Sequence, residues 1–510
     1  MRQTAPTEQP ATVRRSGFIV DEVIELPAWQ QIEAKAGTGE KRNLWARMRG
    51  QDWLVALSYM VSDIVCWVAL YAVVGYVRRD AFFVSPLEFM LVDGVVLIVI
   101  LQALYIIGGY DRNTETRSLT YTTEHILAVA TAAAISSLII YSAATFDATM
   151  KPSRGVLLLS FAAFLPVSLL YRRLFREGMA TSAAQRAFLV VGSGQLAADF
   201  YEAYLNSPNR QRLEFVDIAQ ERVGQPIAGK GSPVIEGDIR TKLERLTNRY
   251  SGVILAESVD RLGADLLARL VRTQFQQTRV YTLESFYEAY WRKVPVRSID
   301  PFWPLQMGFQ LARISPYHYL KRLFDLAASG LLLVICFPLI VLLTCLIWMT
   351  SGRPALFRQA RVGREGDIFT AYKFRTMFMR DPNEEVTDMY TREGDPRVTR
   401  LGRWLRKLRL DELPQLWNVF NGDMSLIGPR AEWTKCAEQY EKKIPFYHFR
   451  HLVKPGITGW AQVNYPYGES EEDAMQKLKY DLYYIRHYSL KLDAMIVLKT
   501  IHTILFGKGR

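Results

Sequence analysis

Long apolar runs alternate with polar, charge-rich stretches along this chain. Four runs come early, approximately Trp53 to Val77, Phe89 to Ile107, Ile126 to Ala144 and Val156 to Leu170, each near the length that crosses a bilayer as a helix. The last is short and needs Tyr171 at its interface. A fifth, Lys321 to Arg353, has an apolar core long enough to span but carries Pro338 in its middle. Between the two groups, RAFLVVGSGQLAADFYEAYL reads as a buried strand, a glycine turn and a helix, and SGVILAES and TRVYTL supply further strands among helical stretches.

The predicted fold is a membrane protein, α plus α/β. It has a partly disordered cytoplasmic lead at 1–49 with no apolar core for a cleavable signal peptide, and a four-helix transmembrane bundle at 50–177. A Rossmann-like domain follows at 185–296, then a proline- and tryptophan-rich linker at 297–317 and a C-terminal domain at 318–510. In the glycine turn Gly192 and Gly194 are present, Ala197 stands where a third glycine is usual, and Asp217 is the candidate ribose-binding acid. Such a turn serves either a dinucleotide or only close packing of helix on strand.

Basic residues fix the topology. They precede the first run (Lys41, Arg42, Arg47, Arg49), follow the second (Arg112, Arg117) and crowd after the fourth (Arg172, Arg173, Arg176), so both ends of the bundle face the cytoplasm. Arg78 and Arg79 fall in a short external loop. Asp63 and Asp93 lie within the helices, where interhelical hydrogen bonding is the expected role. Around the fifth run, Lys321 and Arg322 precede and Arg353, Arg358, Arg361 and Arg364 follow, so the charges choose no side. Proline removes a helical hydrogen bond, which predicts a re-entrant helix over 321–350, broken at Pro338. The alternative is a fifth spanning helix, which would leave the rest of the chain outside the cell.

A formal net charge of +12 over 510 residues implies an anionic partner. The membrane segments favour an acidic lipid surface or a phosphorylated substrate over nucleic acid. Cys66, Cys336 and Cys345 sit in apolar runs and Cys436 stands alone, which indicates neither a disulfide framework nor a zinc site.

The candidate chemistry concentrates in RWLRKLRLDELPQLWNVFNGDMSLIGPR. Pro414 is a natural first residue for a helix through Trp417 and Phe420, so Asp411 and Glu412 should stand just before it in cationic surroundings. Upstream, Lys373 and Arg375 alternate onto one face of an extended segment and are candidates for pairing with a diphosphate. DPRVTRLGRWLRKLRL reads as a basic amphipathic helix whose Trp404, Leu405 and Leu408 either rest at the bilayer interface or pack inward.

From Lys321 to about Thr503 the sequence resembles the bacterial monotopic phosphoglycosyl transferases, the polyprenyl-phosphate sugar-1-phosphate transferases. The segments that carry the resemblance come in order: KRLFD with the proline-broken helix, RQARVGREGDIFTAYKFRTM, DPRVTRLGR, LDELPQLWNVFNGDMSLIGPR, VKPGITGWAQVN and YDLYYIRHYSLKLD. The bundle and the degenerate nucleotide fold are similar to the long form of that family. The resemblance implies that Asp411 attacks the β-phosphate of a UDP-hexose, expels UMP and forms a sugar-phosphoryl aspartate that polyprenyl phosphate then takes over.

On that resemblance Asp411 is nucleophile and contact for Mg2+, Glu412 orients the site or helps manage a proton, and Gly428, Pro429 and Arg430 form the nucleotide-side motif, with Ala431 where a second proline is usual. NYPYGES departs from a pattern that begins Asn-Gly-Arg and resembles the exopolysaccharide branch. The expected partners are UDP-glucose or UDP-galactose, polyprenyl phosphate, the bilayer of the bacterial inner membrane and a second copy of the chain, without nucleic acid. Two other classes remain open: a membrane-bound NAD-dependent sugar-nucleotide dehydratase, for which no convincing Tyr-x-x-x-Lys couple follows the glycine turn, and a non-catalytic scaffold or transporter.

Overall fold

The computed structural model describes residues 52–505 except 81, 83–89, 112–113, 144, 146–152, 184–186, 208–210, 238, 245–249, 258–260, 277, 300–302, 304–308, 310–314, 379–394, 467 and 469. The lead at 1–49 and most of the linker lie outside the described residues.

The first four apolar runs form α1 (Asp52–Arg79), α2 (Leu97–Ile106), α3 (Leu119–Ala143) and α4 (Arg154–Ala183). The helices share one core, in which Trp67, Ile100, Ala132 and Phe164 are fully buried. Small residues such as Ala128 and Ala132 let neighbouring backbones approach closely. Four described helices are long and apolar enough to cross a membrane, and they are not the four of the early group. They are α1, α3, α4 and the later helix Tyr317–Ser351, whereas the described part of the second run is short: a π-helical stretch, Met90–Val96, leading into α2.

Asp63 answers the expectation of interhelical bonding, with a partner the sequence had placed among the cytoplasmic basic residues. Arg172 is turned into the bundle, where its Nη1 and Nη2 donate to the two Asp63 oxygens at 2.8 and 2.6 Å. Tyr110 donates to the same carboxylate at 2.8 Å, and Tyr171 also donates to it. Both charged side chains are fully buried. The side chain of Asp93 lies outside the described residues.

The α/β region is a five-stranded, wholly parallel sheet of order β3-β2-β1-β4-β5. Its strands are β1 (Ala187–Val191), β2 (Leu213–Val216), β3 (Ile235–Glu236), β4 (Tyr250–Leu255) and β5 (Arg279–Thr282). β1 is buried at every position, as a central parallel strand covered on both faces must be. Gly192 has φ +132°, and a Cβ there would meet the Ala256 carbonyl oxygen at 2.5 Å, so the turn into α5 (Gln195–Leu205) requires glycine. The Asp217 carboxylate accepts from the backbone amides of Ala219 and Arg222 at 3.2 and 2.8 Å and thereby closes its own loop.

The run around Pro338 is one helix, α6 (Tyr317–Ser351). The expected interruption of helix is not found: Pro338 lies inside the helix and removes a hydrogen bond without ending it. Both ends of α6 are tied to the same body. At its start Arg322 donates to the carbonyls of Val419 and Phe420 at 2.6 and 2.8 Å, and Asp325 accepts from the Leu426 amide at 3.0 Å. At its end the carbonyls of Ser351 and Gly352 accept from Arg375 at 2.5 and 2.6 Å.

After α6 come the hairpin β6 (Leu356–Val362) and β7 (Ile368–Phe374), then α7 (Arg400–Lys407), α8 (Gln415–Asn421) and the parallel pair β8 (Ser425–Ile427) and β9 (Gly456–Thr458). Two long helices close the domain, α9 (Glu471–Arg486) and α10 (Leu490–Leu505). Their core takes in Val294, Val296 and Trp303 from the segment that follows the parallel sheet.

Removing one member of a buried ion pair strands the other charge, at a cost of about 3–5 kcal/mol. Asp63→Ala is therefore expected to destabilise the bundle by roughly that amount, measured as a shift in the unfolding midpoint of the detergent-solubilised chain.

Candidate active site

The site is assembled where α7 gives way to α8. Thr399 caps α7 by accepting from the Gly402 amide at 2.8 Å, and a Cβ at Gly402 would fall 2.1 Å from the Thr376 carbonyl oxygen. Glycine thus lets α7 lie directly on the backbone that leaves β7. Trp404 and Leu408 point outward, whereas Leu405 is buried with Phe374, Leu343 and Ile347, so the face expected at the bilayer is divided between exposed positions and the core. Beyond α7 the backbone of Arg409 turns left-handed at φ +54°, an uncommon conformation for a non-glycine residue. The chain then re-enters as a single 3-10 turn, Leu410–Glu412, with Pro414 heading α8. That sharp entry puts the two carboxylates in different surroundings.

Glu412 is buried and doubly answered. Lys373 Nζ lies 2.9 Å from its Oε1, and Arg430 Nη1 lies 3.5 Å from the same oxygen. Burial alone would raise the pKa of this carboxyl, but Lys373 and Arg430 overcome it and hold Glu412 well below the usual carboxylate range. Burial pushes the Lys373 ammonium down to about 8, with Glu412 opposing that shift and Arg430 and Arg361 adding to it. Asp411 is half-buried, and its pKa is raised by burial and by the neighbouring Glu412, an effect that Lys373, Arg406 and Arg430 oppose. The pair therefore divides into a firmly ionised, cation-bound carboxylate and a more basic one.

Gly428, Pro429 and Arg430 form the turn after β8. A Cβ on Gly428 would come 2.4 Å from the Lys454 carbonyl oxygen, and one on Gly459 would come 2.1 Å from the Gly428 carbonyl oxygen. The Gly428 amide donates to Thr458 O at 2.9 Å and the Gly456 amide to Pro429 O at 2.8 Å. The turn is thus laid backbone against backbone on β9. With Ala431 buried behind it, the loop delivers Arg430 to Glu412 without a second proline.

The structure brings Asp411, Glu412, Lys373 and Arg430 together. Arg375 does not join them, because its guanidinium caps the end of α6. Pro338 lies inside the apolar helix α6.

Several further contributors are not singled out by the motifs above. Arg450 donates to the Arg430 carbonyl at 3.0 Å and to Asp481 at 2.9 Å, and lies 3.6 Å from Glu432. Burial pushes Asp481 up to about 6. Against burial, Arg450, Arg430 and Arg361 hold Glu432 below its ordinary range. Asn418, fully buried, spans α8 and β7 by donating to Thr370 O at 2.8 Å and accepting from the Tyr372 amide at 3.1 Å. A polar residue in the apolar LWNVF run is the one visible hint of that role.

Among the described residues no group of three or more His, Cys, Asp or Glu side chains could hold a metal ion. With Glu412 bound to cations, Asp411 is the carboxylate open to one. That donor set suits a hard cation such as Mg2+ only when substrate oxygens and water complete the shell.

Residues 316–507 match the family described as bacterial sugar transferase. A UDP-N-acetylgalactosamine-undecaprenyl-phosphate N-acetylgalactosaminephosphotransferase of Aeromonas hydrophila is 40% identical over 262 residues, 51% of this chain and 60% of that protein. An undecaprenyl-phosphate glucose phosphotransferase of Komagataeibacter xylinus is 44% identical over 194 residues, 37% of this chain and 36% of that protein. A UDP-glucose:undecaprenyl-phosphate glucose-1-phosphate transferase of Caulobacter vibrioides is 43% identical over 187 residues, 36% of this chain and 69% of that protein. The chain spans less than two thirds of the first two.

The electrostatics of the pair can be read without any substrate. Competitive acetylation followed by mass spectrometry is expected to give Lys373 a titration midpoint near 8. Glu412→Gln removes the anion that holds the proton on Lys373 and is expected to lower that midpoint further.

Proposed function

The chain belongs to the bacterial sugar transferases, and on that basis we propose that it moves a hexose 1-phosphate from a UDP-hexose to polyprenyl phosphate and releases UMP. The observation that carries the reading is the division of labour between Asp411 and Glu412. Glu412 is ionised and held by Lys373 and Arg430, so it serves as a fixed anchor that positions two cations. Asp411 is more exposed and more basic, and basicity favours a nucleophile.

In the first step an Asp411 carboxylate oxygen bonds to the β-phosphorus of the donor, and the bond from that phosphorus to the bridging oxygen breaks. UMP leaves with that oxygen. Arg430 and Lys373 offset the charge on the phosphoryl oxygens, which would otherwise repel a carboxylate. In the second step a phosphate oxygen of the polyprenyl phosphate attacks the same phosphorus, the aspartyl bond breaks and Asp411 is regenerated. Mg2+ would be held by Asp411 together with substrate phosphate oxygens, where it supplies charge neutralisation.

The relatives named above differ in the hexose they carry, glucose in two and N-acetylgalactosamine in one. Sugar choice rests on a few hydroxyl contacts, so the donor is proposed as a UDP-hexose class, within which UDP-glucose and UDP-galactose are the first to test. The product would open the assembly of an exopolysaccharide or another surface glycan.

We read α6 as re-entrant. Its two ends are bound to one body by Arg322 and Arg375, which fits a helix that enters and leaves by the same face of the bilayer. With the positive-inside pattern, that face is the cytoplasmic side of the inner membrane. The parallel sheet is read as Rossmann-like. Its candidate ribose acid, Asp217, is occupied by backbone amides, which favours close packing over dinucleotide binding.

Asp411→Asn is expected to abolish UMP release from a panel of UDP-hexoses incubated with polyprenyl phosphate, while membrane insertion persists; retained turnover would sink the nucleophile assignment. Cysteines at Ser315 and Ser351 are expected to label from the same side in sealed vesicles, and labelling from opposite sides would restore a spanning helix.

A further inference from the structure

α10 belongs to two cores at once. Met495 and Ile496 are buried in the core of the C-terminal domain, while Leu498 is buried among the bundle residues. Next to Leu498, Lys499 Nζ lies 2.8 Å from Glu124 Oε1 on α3, and both side chains are largely withdrawn from solvent, at 15% and 9% exposure. The same ammonium stands 5.6 Å from the centroid of the Trp460 ring, and Trp460 is itself buried and donates to the Arg292 carbonyl at 2.9 Å. Arg292 in turn reaches Asp111, in the turn after α2, at 3.1 Å. One helix turn therefore joins the bundle, the end of the α/β region and the Trp460 segment of α10's own domain.

The contacts continue to the carboxylates without a gap. Thr500, beside Lys499, shares a hydrogen bond of 2.7 Å with Thr458 on β9. The Thr458 carbonyl accepts from the Gly428 amide at 2.9 Å, and two residues on Arg430 reaches Glu412 at 3.5 Å. The glycine contacts at 428, 456 and 459 are backbone against backbone, so a shift of β9 has no soft side chain to absorb it and must move the Arg430 turn.

We propose that Glu124 of the membrane bundle and Lys499 of α10 are positioning residues for Arg430, and that the bundle sets donor binding at the site as well as anchoring the chain. The proposal rests on the transferase reading above. Each half of the pair is largely withdrawn from solvent, so neutralising one strands the other, and the strain falls on α10 and the β9 contact it carries.

The test uses the full chain in nanodiscs, with Glu124→Gln, Lys499→Gln, the double variant and the charge reversal E124K/K499E. Each single variant is expected to raise KM for the UDP-hexose on the order of 10-fold with a smaller change in kcat. The double variant is expected to be no worse than the poorer single one, and the charge reversal to recover most of the loss. Amide exchange over 425–430 and 456–460 is expected to rise in both single variants, a readout that needs no turnover and applies to any variant that inserts. A wild-type chain that releases no UMP overturns the transferase reading and leaves exchange to decide the coupling. Wild-type exchange in both single variants, or KM losses that multiply in the double variant, overturn the positioning role.

Discussion

Burying Glu412 costs free energy unless its charge is answered, and the answer comes from two segments far apart in the chain. Lys373 is delivered by the β6–β7 hairpin and Arg430 by the turn after β8. An ionised carboxylate between two cations ties these elements together and fixes the distance between them. Because Asp411 is covalently next to Glu412, the clamp on one residue also orients the other. The left-handed turn at Arg409, the close seat of Gly402 on Thr376 and the polar bridge through Asn418 all bring the short Leu410–Glu412 turn up to that clamp. Without the clamp they would have nothing to aim.

Stiffness around the clamp has two sources. One is steric, the contact of Gly428 with the strand that carries Thr458, where glycine is needed because peptide groups touch. The other is ionic: Arg450 joins the Arg430 carbonyl to Asp481 on α9, and Glu432 stands beside it. Buried charges of this kind add little net stability, but they penalise any arrangement that parts them. They suit a loop that must hold one conformation.

Much of this was legible in the sequence wherever local chemistry decides the outcome. Apolar length foretells α1, α3, α4 and α6 because a helix satisfies its own backbone. The strand, glycine turn and helix at 187–205 follow from a buried β1 and from Gly192, whose conformation excludes other residues. Asp411 and Glu412 before a proline-headed helix, with Lys373 on a facing strand, are likewise matters of spacing. What could not be read depends on segments meeting across long loops. Arg375 looks like the natural partner of Lys373 by alternation, but the end of α6 offers it two bare carbonyls, and a helix C-terminus is a strong attractor for a guanidinium. Arg172 reads as a cytoplasmic positive charge until Asp63 is seen opposite it. Leu405 reads equally as a membrane contact or a core residue until the hairpin folds over it. The second apolar run is described only in part, and there a π-helical stretch that hydropathy does not register, Met90–Val96, leads into α2.

The tethering of both ends of α6 to one body bears on how the protein is made. A helix with a free far end must carry whatever follows it through the bilayer, and here everything after Gly352 follows it. If α6 is re-entrant, as proposed above, nothing needs to be carried through. Synthesis of the last third would then proceed wholly on the ribosome's side, where the hairpin, the carboxylate turn and the closing helices would fold in water. The apolar helix they hold would enter lipid as a wedge, with no translocation channel spent on it.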